Sequence, residues 1–62
     1  MRCIIRMRFD APPEVVRVGL TQEEARAHCQ NPATRGDGWF DGYDLESNWQ
    51  EQVDGMYADM AR

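Results

Sequence analysis

The spacing of apolar residues along this chain changes from two to about 3.6, and that change restricts the fold to the α+β class. Over residues 2–9, Cys3, Ile5, Met7 and Phe9 point one way, and Arg2, Ile4, Arg6 and Arg8 point the other. This is the alternation of a half-buried strand. Asp10-Ala11-Pro12-Pro13-Glu14 reads as a turn, because two prolines cannot donate to a ladder. Alternation resumes over Val15–Leu20, with Val16, Val18 and Leu20 on the expected core face. The two segments predict a hairpin with Ile5, Met7, Val16 and Val18 buried and Arg6, Arg8 and Arg17 outward.

Thr21-Gln22-Glu23-Glu24 starts a helix: Thr21 can cap the Glu24 amide while the Glu24 carboxylate reaches back, with Leu20 stapled on Ala25. Asn31-Pro32 stops it, and Ala25 and Cys29 form its narrow inner stripe. Trp39-Phe40-Asp41-Gly42-Tyr43 is a third strand, bounded by turn residues, in which Gly42 marks a bulge or a close backbone approach. Trp39 and Tyr43 share one face with Asp41 between them. Ser47 with Gln50 forms a second capping box. Leu45, Trp49, Val53, Met56, Tyr57 and Met60 then line one stripe of an amphipathic helix. Gly55 lies inside that helix, where glycine costs about 1 kcal/mol relative to alanine, so a close approach is expected there.

The order β-β-α-β-α, with a right-handed crossover through the first helix, predicts a three-stranded antiparallel sheet of order 2-1-3. Both helices are expected to pack on one face. At 62 residues there is room for one domain, 1–62, close to the lower size limit of independent folding. No apolar run reaches the length of a membrane span and no basic-then-apolar leader opens the chain. A cytoplasmic location is the expectation. Two cysteines are too few for a disulfide framework.

The net charge is -4, unevenly spread. Residues 1–20 carry four arginines against two acids, and the remainder carries nine acids against three arginines. The total disfavours general nucleic-acid affinity. One basic face survives locally in Arg2, Arg6, Arg8 and Arg17, either as a solvated surface or as an anion-binding one. It carries no aromatic side chain for bases to stack on.

Catalytic and metal chemistry find little support. His28 and Cys29 are adjacent on a helix, so their side chains diverge by about 100°. Cys29 sits on the expected core stripe, where a small buried thiol is ordinary. Cys3, His28 and Cys29 lack the close pairing of metal ligands. A Cys3–Cys29 disulfide is the more plausible use of the pair, against which stands a reducing cytosol. Asp37, Asp41, Asp44 and Glu46 lie among turn residues and read as solvated or capping. Arg35-Gly36-Asp37 matches an adhesion tripeptide, but a tight turn accounts better for Gly36 and Gly38. No catalytic, metal or cofactor site is predicted. The aromatic residues remain: Trp39, Phe40, Tyr43 and Trp49 are either core or, at a rim with methionines, anchors of an interface. The candidate interaction surface is Trp39, Tyr43, Met56, Tyr57 and Met60. Trp49 and Val53 are assigned to the chain's own core.

Residues Gly19-Leu20-Thr21-Gln22-Glu23-Glu24-Ala25-Arg26-Ala27-His28-Cys29-Gln30-Asn31-Pro32-Ala33-Thr34, followed by Trp39-Phe40-Asp41-Gly42-Tyr43, carry a resemblance. The chain resembles a family of small uncharacterised proteins encoded by actinobacteria and their bacteriophages. In these a strand hairpin precedes G-L-T-x-E-E-A-x-x-H-C-x-x-P-x-T and then W-F-D-G-Y. The likeness covers residues 1–44; the connecting loop is shorter here, and residues 45–62 look like an added helix. It implies a phage or prophage origin and no particular activity. The expected function is therefore non-enzymatic: protein–protein interaction with a bacterial host or phage protein, or a homodimer, without cofactor or membrane. A nucleic-acid accessory role through the arginine face is the alternative.

Overall fold

The first two strands pair as an antiparallel hairpin, and the rest of the architecture follows from how each face of that pair is covered. The computed structural model describes residues 1–61. Strand β1 (Arg2–Arg8) is followed by β2 (Ala11–Leu20), helix α1 (Gln22–Gln30), β3 (Arg35–Gly36), β4 (Trp39–Leu45) and helix α2 (Gln50–Met60). Short 3-10 turns at Pro32–Thr34 and Glu46–Trp49 precede β3 and α2. The sheet is antiparallel, in the order β2-β1-β4-β3. The expected neighbours of β1 are thus its actual neighbours, and β3 adds a fourth, two-residue edge strand. Asp37 and Gly38 join β3 to β4, with Gly38 at φ +77°, a left-handed backbone that glycine adopts without steric cost.

The prolines fall inside β2 rather than in a turn, and only Phe9 and Asp10 separate the strands. An edge strand tolerates proline because one of its sides has no ladder to feed. Gln52 of α2 serves that side instead: its Oε1 accepts from Val15 N–H at 2.9 Å and its amide nitrogen donates to the Pro13 carbonyl at 3.3 Å. The β1–β2 register shifts three times, between Arg2 and Ile4, Ile4 and Ile5, and Arg6 and Arg8. Each extra residue on β2 reverses the facing of those beyond it. Val15 and Val18 therefore join one core cluster and Val16 and Leu20 the other, rather than Val16, Val18 and Leu20 sharing a face. The β1–β4 register runs without a shift from Arg2↔Leu45 to Arg8↔Trp39. Gly42 marks no bulge, and a side chain there or at Gly55 would meet nothing within 4 Å.

The helices lie on opposite faces of the sheet, not on one. Cys3, Ile5 and Val15 pack with Val53 of α2, flanked by Met7, Val18, Trp49 and Met56. Ile4 and Leu20 pack with Ala25 of α1, flanked by Val16 and Cys29. Ile4, on the arginine side of β1, is fully buried. A strand with apolar residues on both faces leaves one face wet unless each receives a helix. The crossover from β2 to β4 lays α1 on one side, and the 3-10 turn after β4 carries α2 to the other.

Helix α1 begins with the expected capping box: Glu24 N–H donates to Thr21 Oγ1 at 3.1 Å and Thr21 N–H to Glu24 Oε1 at 3.0 Å. Helix α2 does not begin with one, and Ser47 caps nothing. Asp44 organises this entrance instead. Its Oδ1 accepts from Leu45 N–H at 2.7 Å and Asn48 Nδ2 at 3.1 Å, and its Oδ2 accepts from Trp49 Nε1 at 3.1 Å. These bonds, the Leu45 amide first, hold the Asp44 carboxyl below its ordinary pKa. The expected helix extended to Arg62, which lies outside the described residues.

Candidate functional site

Arg6 and Asp41 face each other across β1 and β4. Arg6 Nε donates to Asp41 Oδ1 at 2.9 Å and Arg6 Nη2 to Asp41 Oδ2 at 3.1 Å, the planar two-point pairing that guanidinium and carboxylate favour. Helix α1 delivers His28 to the same group, with Nε2 at 3.1 Å from Asp41 Oδ2. An ionised carboxylate only accepts, so His28 Nε2 carries the proton of that bond. The Asp41 side chain is wholly buried. Burial pushes its pKa up, but the bonds from Arg6 and then His28 outweigh this and hold it below the ordinary value. The same contact raises the pKa of Arg6. The Trp39 ring lies over the guanidinium, 4.7 Å from Arg6 Cζ to the ring centroid, within cation–π range.

The expectation that Asp41 is solvated is therefore overturned. A visible signal existed: Asp41 sits between Trp39 and Tyr43 at an alternating position of a strand, facing whatever α1 covers. Only the pairing of β4 with β1 shows that Arg6 stands opposite.

The four arginines of the candidate anion-binding face are placed differently from one another. Arg6 is committed to Asp41, and Arg8 Nη1 pairs with Glu14 Oε1 at 3.1 Å. Arg2 donates to Gln22 Oε1 at 3.3 Å, and Arg17 is exposed. Helix α1 crosses this same face.

Cys3 and Cys29 are free thiols in the two different core clusters, one on each side of the sheet. The sheet lies between them, so the suggested disulfide is ruled out. Burial first, then neighbouring carboxylates, pushes both thiols up: Glu46 and Asp44 act on Cys3, Asp41 on Cys29. A thiol so placed stays protonated and is a poor nucleophile. Among the described residues, no three of His, Cys, Asp and Glu are placed to hold a metal ion.

The candidate interaction residues separate into two groups. Trp39 and Tyr43 lie on the α1 side of the sheet with Arg6 and Ile4, Trp39 half-buried and Tyr43 exposed. Met56, Tyr57 and Met60 belong to α2 on the other side. Met56 packs against the Val53 cluster, whereas Tyr57 and Met60 are exposed. Tyr57 Oη donates to the Glu46 carboxylate, 3.0 Å from Oε2, and Glu46 Oε2 also accepts from Gly19 N–H at 2.6 Å. Tyr57 thereby ties α2 to β2, and its pKa is raised by the Glu46 bond. Two exposed aromatics fall outside the expected surface: Phe9, 84% exposed, and Phe40, 46% exposed.

Comparison with protein-family models, with curated proteins and with solved structures finds no match to this chain. No described helix is long and apolar enough to cross a membrane.

Proposed function

We propose that this chain is a small non-enzymatic protein of phage type that acts by protein–protein interaction, on a bacterial host or phage protein or on a copy of itself. The observation that carries this reading is the apolar surface. Met1, Phe9, Phe40, Tyr43, Leu45, Tyr57 and Met60 are all exposed, as many residues as the seven hydrophobics that form the core. Scattered single hydrophobics need no explanation, but Phe9 and Phe40 are exposed close together at one end of the sheet, beside Met7, and contiguous apolar surface points to association. Aromatic and methionine side chains are those enriched at protein interfaces. A role without chemistry is supported by the two protonated thiols and by the use of His28 and Asp41 as an internal tie.

The arginine-face alternative gains no specific observation. Two of its four charges are already matched by Asp41 and Glu14.

A photo-crosslinking residue placed at position 9, 43 or 60 of the full chain tests the reading in bacterial cells. A discrete protein adduct at one or more positions is expected. Failure at all three, together with salt-sensitive retention on a phosphate matrix, would overturn it in favour of nucleic acid.

A further inference from the structure

Helix α2 covers only half of its face of the sheet. It packs on the β2 side, where Val53 meets Val15 and Gln52 bonds the β2 backbone. Trp49 lies against the Asp44 end of β4, and the Phe40–Arg35 end is left exposed. Met7 stands opposite Phe40, and Phe40 opposite Arg35. Directly opposed residues share a face, so Met7, Phe40 and Arg35 form a row across β1, β4 and β3. Phe9 extends it at the turn: its N–H donates to the Gly38 carbonyl at 3.1 Å, one step beyond the last β1–β4 pair. Phe9 is the most exposed large apolar side chain described.

The ends of this row carry opposite charge. Arg35 shares the face of Phe40 in the edge strand, and Asp10 follows Phe9 in the β1–β2 turn. Both are exposed, and neither has an ion-pair partner among the described residues.

We propose that this exposed end of the face binds a second copy of the chain about a two-fold axis passing between Phe9 and Phe40. The inference rests on the interaction reading above and names its partner. A two-fold contact requires a surface complementary to itself. Rotation about this axis sets Phe9 of one copy on Phe40 of the other and brings Arg35 of each toward Asp10 of its mate. An acidic or a basic foreign partner would match only one end of the row; a second copy matches both. Association is one of the devices by which chains of this length supplement a small core.

Sedimentation equilibrium of the full chain over a concentration series tests this, with Phe9→Ser, Arg35→Asp, Asp10→Arg and the double charge reversal as variants. All alter exposed side chains, and circular dichroism checks that each folds. A dimer is expected, weakened at least about tenfold by Phe9→Ser. Each single reversal should weaken it, and the double reversal should restore it. A chain monomeric throughout, or a dimer indifferent to Phe9→Ser and to the reversals, overturns the proposal. A monomer whose position 9 still crosslinks to a foreign protein sinks self-pairing but leaves the interaction reading standing. A monomer with no adduct at any position sinks both.

Discussion

Asp41 accepts hydrogen bonds from two other elements, β1 through Arg6 and α1 through His28, and so fixes how α1 sits on the sheet. Replacing it by asparagine leaves Arg6 and His28 without their anion. Arg6 keeps 34% of its side chain exposed and can be hydrated, so the loss is that of hydrogen bonds to a charged group, about 1–3 kcal/mol, still a large share of what so small a domain has. Urea denaturation of Asp41→Asn should show that loss. The pH dependence has a definite sign. The folded-state pKa of Asp41 is lowered, so its contribution is complete above the unfolded carboxyl value of about 3.9. It is lost as pH falls through the lower folded value. Urea midpoints measured from pH 7 downward should fall below about pH 4 more steeply in the native chain than in Asp41→Asn. Equal slopes would mean that Asp41 is not ionised in the fold. At Gly36, an added methyl group would run into the Trp39 indole ring. Gly36→Ala should displace the ring from Arg6, at a cost of about 1–3 kcal/mol, read as a changed tryptophan emission spectrum and a lower urea midpoint.

Among the elements, β1 is the one whose two faces matter equally. Ile4 is fully buried against α1 and Ile5 nearly so against α2. Ile4→Ala and Ile5→Ala should therefore cost similar amounts, about 2–5 kcal/mol each, by chemical denaturation. A sheet with one covered face would make Ile4→Ala nearly silent. Helix α2 offers the opposite test. Its Gly55 faces open space, so Gly55→Ala should stabilise by roughly 1 kcal/mol and raise the melting temperature by about 4–8 °C. A fall instead would mean that another backbone approaches there in solution. The edge of β2 depends on Gln52. Its replacement by alanine removes both side-chain bonds to the strand, each worth about 1 kcal/mol, and should speed amide exchange at Val15.

At the scale of the whole molecule, what the sequence determined is what neighbours along the chain decide among themselves. Alternation over Arg2–Phe9 made β1, Thr21 with Glu24 closed a capping box within four residues, and the spacing of Val53 and Met56 set the inner face of α2, whereas Leu45 and Trp49 of the expected stripe fall in β4 and the 3-10 turn. Each of these depends on distances of a turn or a pleat, so each was legible before any tertiary contact was known. The neighbours of β1 were legible too, because crossover handedness leaves few choices. What only the tertiary structure decided depends on which distant residues meet. The face of the sheet taken by α1 turned on Ile4 needing cover, and the splitting of Val15 and Val18 from Val16 and Leu20 turned on bulges against β1. The burial of Asp41 turned on Arg6 standing opposite it, 35 residues away in sequence. An aspartate beside glycine carries the same local signal whether it ends in water or in an ion pair. Its fate is set by the partner that the register supplies, and register is a property of two strands, not of one.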